Sequence, residues 1–155
     1  MNTQPQFVDA NIFIRHFTQD NPIQSPACTA IFEQAEQNQM SLTTSEAIIT
    51  EVVQVLNSKT LYNFPRSQIQ SVVTALLSLP GMKLPRLRVY KRALKIYAKE
   101  KIDFPDCLVV AHMEEQHSSQ LYSYDKHFDR FDQVTRLEPE LANDDENKGF
   151  VRDTC

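Results

Sequence analysis

Residues 6–17 have the sequence QFVDANIFIRHF, an apolar stretch that the carboxylate of Asp9 interrupts. The Phe7-Val8 run, followed by Asp9 and a helix-compatible segment, predicts a buried strand over 6–9 and a helix from Asn11 to Phe17. In open α/β sheets, ligands bind beyond the carboxyl ends of the strands, so Asp9 is placed for chemistry. On this stretch alone, an Asp that caps the following helix is the slightly favoured interpretation.

The rest of the chain alternates between helical and strand patterns. Apolar residues with a 3.6-residue period predict helices, and short apolar runs between turn residues predict strands. This alternation favours an α/β fold in which helices cover both faces of a parallel sheet. The predicted helices run from Pro26 to about Gln37, from Thr44 or Ser45 to Leu56, from Pro65 to Leu77, from Pro85 to about Lys99 and onward from Pro105; the predicted strands are 40–43, 121–124 and 134–137.

Length and composition indicate one globular domain. The chain has 155 residues, of which 41% are hydrophobic, with only two glycines. The N-terminus lacks the features of a signal peptide, and no apolar run approaches the ~20 residues that span a bilayer. We therefore expect a cytoplasmic protein with no membrane partner. Because Cys28, Cys107 and Cys155 form no Cys-x-x-Cys pair, we expect reduced thiols and neither disulfides nor a thiolate zinc site.

The net charge of −4 is unevenly distributed. Residues 138–155 contribute all of it, so the remainder of the chain is formally neutral. Within that remainder, residues 83–101 hold 8 of the 16 basic side chains. On the predicted helix after Pro85 these form a stripe, which is either a solvated helix face or a contact for nucleic acid. The stripe comprises Arg88, Lys91, Arg92, Lys95 and Lys99.

Several carboxylates are placed where they could share one pocket. Asp9 and Asp125 each end a predicted strand, and parallel strands present their carboxyl ends at the same edge of a sheet. Asp106 lies in the first turn of a predicted helix, and Asp103 lies one turn upstream. Two further acids, Glu46 and Glu51, border the apolar face of the helix that ends at Leu56, and the helical wheel does not choose between them.

Converging carboxylates repel one another unless a cation neutralises them. Oxygen ligands without Cys or His partners favour Mg²⁺ or Mn²⁺ over zinc. Such ions polarise phosphoryl oxygens and activate water, so hydrolysis of phosphodiesters is the predicted reaction. The four histidines lack metal-ligand spacing and are interpreted as structural, with His127 a candidate contact for phosphate or RNA.

Four short motifs in order resemble PIN-domain ribonucleases of the VapC toxin type. They are VDANIFIRHF from Val8, TEVVQVL from Thr50, IDFPDCLVVA from Ile102 and YSYDKHF from Tyr122. The resemblance covers about residues 6–139, which implies a PIN-like nuclease domain over 1–139 and an acidic tail over 140–155. It also implies a three-layer α/β/α sandwich with a central parallel sheet, a Mg²⁺- or Mn²⁺-dependent endoribonuclease site, a cognate antitoxin protein and a homodimer.

The resemblance places the family's acids on individual residues of this chain. The catalytic and metal-binding acids fall on Asp9, Glu51, Asp106 and Asp125, which selects Glu51 over Glu46, and Asp103 matches a less regular family acid. Asn11, Thr44, Ser45 and Ser123 are expected to support these acids or a water molecule. The expected RNA contacts are Arg15, Arg88, Lys91, Arg92, Lys95 and His127.

The leading hypothesis is therefore an endoribonuclease that cuts single-stranded RNA as the toxin of a toxin–antitoxin pair. The alternative is a PIN scaffold without catalysis that binds RNA or a protein. A receiver domain or an aspartyl phosphatase is disfavoured, because the receiver requires an acid beside Asp9 and the phosphatase requires Asp-x-Asp, where this chain has Asp9-Ala10-Asn11.

Overall fold

The computed structural model describes residues 4–142. The chain divides into two compact units, with the first ending at His117 and the second beginning at Ser118. Most of the predicted acidic tail, residues 143–155, lies outside the described residues.

The first unit contains two short strands and six helices. Strand β1 pairs in parallel with β2, with Gln6 opposite Leu42 and Phe7 opposite Thr43. The elements in chain order are β1 (Gln6–Phe7), α1 (Ala10–Thr18), α2 (Gln24–Glu36), β2 (Leu42–Thr43), α3 (Glu46–Asn57), α4 (Arg66–Leu77), α5 (Leu87–Lys99) and α6 (Phe104–Glu115).

The second unit contains β3 (Gln120–Tyr122), a short 3₁₀-helix (Lys126–Arg130) and β4 (Thr135–Leu137). Strands β3 and β4 are also parallel, with Leu121 opposite Arg136. All the strand pairs described are therefore parallel, and the predicted α/β class is confirmed.

The predicted strands are longer than the observed ones. Strand β1 ends at Phe7 and not at residue 9, although Val8 N–H still donates to Thr43 O at 2.9 Å. The chain then turns into α1 at Ala10, so Asp9 lies between strand and helix. Similarly, β3 ends at Tyr122, three residues before Asp125. The acids thus follow the strands and do not terminate them.

The helix predicted from Pro26 starts two residues earlier, at Gln24. The side chain of Asn21 explains the difference, because its Oδ1 accepts hydrogen bonds from the N–H groups of Ile23 at 3.0 Å and Gln24 at 2.8 Å. These bonds satisfy backbone donors that a helix start leaves without partners.

The core of the first unit follows the predicted helical periodicity. In α3 the buried residues include Ile49, Val52, Val53 and Leu56. Helix α4 contacts α3, as a helical hairpin predicts, but its main packing partner is α5. Helix α5 buries a broad face, and its basic stripe lies on the opposite side. The buried residues of α5 are Val89, Tyr90, Ala93, Leu94, Ile96 and Tyr97.

Gly81 lies where three chain segments meet. Its N–H donates to Ala35 O at 2.8 Å, and its carbonyl accepts from Leu42 N–H at 2.8 Å. A Cβ at this position would overlap Met40 O and lie 2.7 Å from Ala35 Cα. Only glycine allows the end of α2 and the start of β2 to approach so closely.

Within residues 4–142, none of the helices combines the length and the apolar character needed to cross a lipid bilayer.

Candidate active site

Asp9 is the N-cap residue of α1. Its backbone is extended (φ −85°, ψ 164°), and its Oδ1 accepts a hydrogen bond from Ala10 N–H at 2.8 Å. The side chain is exposed, and so is Asn11 in the first turn of the helix. The capping interpretation is thus confirmed, and it uses only one of the two carboxylate oxygens. The other oxygen can face a ligand.

Thr44 and Ser45 have separate local roles. The buried Thr44 hydroxyl donates to Val8 O at 2.9 Å and so holds the backbone immediately before Asp9. Ser45 is the N-cap of α3, and its Oγ accepts from Ile48 N–H at 3.2 Å. Thr44 therefore supports Asp9 through the backbone, whereas Ser45 fixes the start of the helix that contains Glu51.

The two glutamates of α3 have different environments. Glu46 is half-buried, and its Oε1 lies 2.5 Å from Nε2 of His112 on α6. Glu51 is exposed, and no Lys, Arg or His nitrogen of residues 4–142 lies within 4 Å of its carboxylate. Glu46 thus joins two helices, and the Glu51 carboxylate is open to a ligand.

The start of α6 places two acids one turn apart. Asp103 is the N-cap residue but makes no capping bond with its side chain; its carbonyl accepts from Asp106 N–H at 3.0 Å. Pro105 suits the first turn because it lacks an N–H that would need a partner. Asp106 is half-buried in that turn, where the helix dipole favours a negative charge.

Asp125 is the corresponding acid of the second unit. It is the N-cap of the 3₁₀-helix, and its Oδ1 accepts from His127 N–H at 2.9 Å. The Nδ1 atom of His127 lies 3.0 Å from the same oxygen. Ser123 Oγ accepts from Asp125 N–H at 3.0 Å, so the predicted supporting hydroxyl shapes the turn that presents the acid.

Within the first unit, no three acidic, His or Cys ligand atoms of the described residues lie mutually within 4.8 Å. Its acids are therefore not a preformed compact cluster. Asp9 and Asp103, like Glu51, have no basic side chain within 4 Å among residues 4–142. No basic side chain of the described residues pairs with these exposed carboxylates, so they are open to hydration or to a bound cation.

The predicted RNA contacts differ in availability. Arg15 Nη1 lies 2.8 Å from Asp20 Oδ2, and Arg92 makes two bonds with Glu114, at 2.7 and 3.0 Å. Because a bidentate pair occupies the guanidinium fork, Arg92 is poorly placed to bind phosphate. Arg88 and Lys95 are exposed on the same helix.

Arg66 is a structurally important residue that the sequence analysis missed. Its Nη1 donates to the carbonyls of Tyr97 at 3.1 Å, Glu100 at 3.1 Å and Ile102 at 2.7 Å. Its guanidinium lies 4.1 Å from the centre of the Tyr97 ring. Arg66 thereby fixes the segment between α5 and Asp103. One signal was present: a cation at a helix start opposes the dipole and needs another reason to be there.

The two cysteines of the described residues, Cys28 and Cys107, are free and buried. Burial raises the pKa of the Cys107 thiol to about 12, so it is protonated and unreactive at neutral pH.

Comparison with protein families gives a match to the PIN domain over residues 7–134. The chain belongs to the PIN domain family. The match contains Asp9, Glu51, Asp106 and Asp125, and it confirms the PIN-like α/β/α fold class. PIN domains are generally nucleases and typically depend on divalent metals. No curated protein matches this PIN-domain chain.

Proposed function

We propose that this PIN-domain protein is a Mg²⁺- or Mn²⁺-dependent endoribonuclease with Asp9, Glu51, Asp106 and Asp125 as its catalytic and metal-binding acids. The observation that supports this most is that all four lie in the PIN match and occupy exposed or half-buried sites at starts of helices or on a helix face. Asp103 is a further candidate ligand one turn before Asp106.

The chemistry of these residues fits a hard divalent cation. All the proposed ligands are carboxylates, which Mg²⁺ and Mn²⁺ prefer over imidazole and thiolate. The glutamate that is already engaged by a basic side chain, Glu46, is outside the proposed set, and the exposed Glu51 is inside it. Cys28 and Cys107 are both buried. The thiol of Cys107 is protonated at neutral pH, so it is excluded as a ligand.

A bound divalent ion supplies polarisation of the phosphoryl oxygen and a lowered pKa of water. The protein residues do the remaining work. Asp9, Asp106 or Asp125 accepts the proton of the attacking water as it approaches the phosphorus in line with the leaving oxygen. Thr44 holds the backbone before Asp9 through its bond to Val8 O, and Ser123 shapes the turn that presents Asp125 through its bond from Asp125 N–H. The products have 5′-phosphate and 3′-hydroxyl ends by family analogy.

The closer resemblance to VapC toxins supports a more specific proposal. The protein is the toxin of a toxin–antitoxin pair, acts in the cytoplasm on single-stranded RNA, forms a homodimer and is inhibited by a cognate antitoxin protein. The support is the set of four motifs, of which VDANIFIRHF from Val8 and IDFPDCLVVA from Ile102 are the longest. Induced expression should stop growth, and the Asp9→Asn variant should not.

The decisive experiment compares two glutamates on the same helix. Glu51→Gln should lower Mn²⁺ affinity, measured by calorimetry, and reduce cleavage of a labelled RNA by at least about 100-fold, as loss of a charged catalytic group does. Glu46→Gln is the matched control and should retain both properties to within a few-fold. No loss in Glu51→Gln would show that Glu51 is not a ligand, and equal loss in the two variants would contradict the choice of Glu51 over Glu46.

Asp9→Asn and Asp106→Asn extend the test to the other elements. Each should abolish cleavage in the presence of Mg²⁺ or Mn²⁺ while the far-UV circular dichroism spectrum stays unchanged. If the purified parent protein, free of any partner, cuts no RNA with either metal, a PIN module that only binds RNA or protein becomes the better explanation.

A further inference from the structure

Two tyrosines next to Asp125 are unusually exposed. Tyr122 is 69% exposed and Tyr124 is 67% exposed. Ser123 between them and the flanking residues Leu121 and Asp125 are all half-buried. Alternating exposure is the pattern of an extended chain, in which residues two apart point to the same side. Both phenol rings therefore face solvent on one side of this segment.

The backbone between the two rings is firmly held. Ser123 N–H donates to Leu137 O at 3.0 Å, and Ser123 O accepts from Arg136 Nη1 at 2.9 Å. The Ser123 hydroxyl also accepts from Asp125 N–H at 3.0 Å. The phenol groups themselves make no hydrogen bond or ring contact within residues 4–142. The protein thus presents two unused aromatic faces on a rigid support, which lowers the entropic cost of binding.

Spacing and charge both suit an unpaired RNA strand. Two residues of extended chain advance about 6.6 Å, about twice the 3.4 Å rise per nucleotide of a stacked strand. The rings are therefore spaced for bases that have been separated from each other, not for a stacked pair. The exposed Lys126 and His127 follow at once in the chain and supply positive or hydrogen-bonding groups for the backbone phosphates.

We propose that Tyr122 and Tyr124 form a stacking platform for two bases of single-stranded RNA, beside the acid of the second unit. This inference rests on the proposed function in that the ligand is the RNA substrate. Every base has a stacking face, so the platform selects unpaired over paired RNA and does not select a sequence. Other exposed apolar side chains, such as Leu61 and Ile23, do not alternate with half-buried neighbours beside a proposed site residue.

The test measures binding with catalysis switched off. Fluorescence anisotropy of a labelled 12-nucleotide oligoadenylate, in EDTA to prevent metal-dependent cleavage, should show Kd increases of about 5- to 100-fold for Tyr122→Ala and for Tyr124→Ala. The Phe variants should bind like the parent protein, because phenylalanine retains the stacking face. Leu61→Ala, which removes a side chain of the first unit that is 63% exposed, is the matched control and should have no effect.

A spectroscopic signature distinguishes stacking from a general loss of structure. The chain has five tyrosines and no tryptophan, so its intrinsic emission reports tyrosine alone. Oligoadenylate should quench part of this emission in the parent, and that part should be missing from the Tyr122→Ala, Tyr124→Ala double variant. A perfectly paired RNA hairpin should quench little.

Three results would overturn the platform: no binding of the oligomer by the parent, unchanged Kd in both Ala variants, or equal loss of binding to the hairpin. A fourth result would also overturn it: the parent sediments as a dimer, and the Ala substitutions dissociate this dimer without changing RNA affinity. The rings would then belong to a contact between two copies of the protein. If the parent binds through the tyrosines but never cleaves with metal, the platform stands and the proposed nuclease function fails.

Discussion

Asp9 serves at once as a helix cap and as the first candidate ligand. The interpretations compete in the sequence because both place an Asp between a strand and a helix. The structure makes them compatible, since the capping bond occupies Oδ1 alone. Because the capping bond restricts rotation of the Asp9 carboxylate before an ion binds, the entropic cost of ion binding is lower.

This dual role predicts that two substitutions of Asp9 behave differently. Asn is as good an N-cap as Asp, so Asp9→Asn should change the free energy of unfolding by less than about 0.5 kcal/mol, whereas Asp9→Ala should lose about 1 kcal/mol. Both should lose cleavage. Urea denaturation beside an RNA cleavage assay measures the two effects. Equal stability of the Asn and Ala variants would contradict the capping role.

His16 predicts a dependence of stability on pH. Burial lowers the pKa of its imidazole below 6.5, while the charge of Glu33 opposes the shift; Nδ1 lies 2.8 Å from Thr29 Oγ1. The unfolded state therefore binds the proton more readily than the folded state. The contribution of His16 is complete above about pH 6.5 and is lost as the pH falls toward the folded-state pKa.

Urea denaturation between pH 5 and pH 8 tests this prediction. His16→Gln, which keeps a polar partner for Thr29, should be less sensitive than the parent to acidification in this range. If the stability of His16→Gln falls with decreasing pH as steeply as that of the parent, the pH dependence comes from other groups.

Helix α4 provides an anchor for the segment that leads to Asp103 and Asp106. Arg66 makes three bonds to carbonyl groups there and stacks on Tyr97. Lysine cannot reproduce a planar fork that bonds and stacks together. Arg66→Lys should therefore reduce the free energy of unfolding by about 1–3 kcal/mol.

The control for Arg66→Lys is Arg88→Lys, because Arg88 is exposed on the neighbouring helix α5. Its substitution should stay within about 0.5 kcal/mol of the parent in the same urea titration. If the two variants were equally stable, the carbonyl bonds of Arg66 would contribute no net stability.

The helices were predictable from sequence because each has either an apolar period, as α3 and α5 have, or a recognisable start or stop residue, such as Pro105 in α6. The start of α2 was placed two residues late, because Pro26 is a conspicuous first-turn residue and the cap comes from the side chain of Asn21 further upstream. Strand lengths were overestimated because apolar character continues beyond the hydrogen-bonded ladder at Val8. The cation at the start of α4 marks Arg66 as unusual, but its long-range bond to Ile102 leaves no local pattern, so the partner could not be predicted.

The placement of Asp9 before α1 and of Asp106 in the first turn of α6 was predictable because each has a local signature, such as the Pro105-Asp106 helix start. The environment of Glu46 was not predictable, because periodicity gives the direction of a side chain and not its partner. His112 lies 66 residues away along the chain, and only the packing of α3 against α6 brings it to Glu46. Resemblance had selected Glu51, and the pairing of Glu46 supplies an independent physical reason for that choice.

The uneven charge of the whole molecule predicts a salt-dependent affinity for RNA despite its net charge of −4. Because Arg92 is engaged with Glu114, the exposed Arg88 and Lys95 are the better candidates for phosphate contacts. Replacing both by Gln should lower the slope of log K against log salt by about 1.4, at about 0.7 per single-strand phosphate contact.

Anisotropy titrations at several salt concentrations measure this slope. Lys59→Gln, which removes an exposed charge outside the stripe, is the control and should leave the slope unchanged. An unaltered slope in the Arg88→Gln, Lys95→Gln variant would identify the stripe as a solvated helix face.

Gly81 has a consequence for anyone who surveys this protein by exhaustive substitution. Since a single added carbon collides with Met40 and Ala35, every replacement at 81 should abolish the proposed cleavage, as replacements of Asp9 are also expected to do. The two positions separate when the amount of folded protein in the cell is counted: variants at 81 should be scarce and those at 9 abundant. The abundance of folded protein alone would thus distinguish a structural position that tolerates no substitution from a catalytic acid.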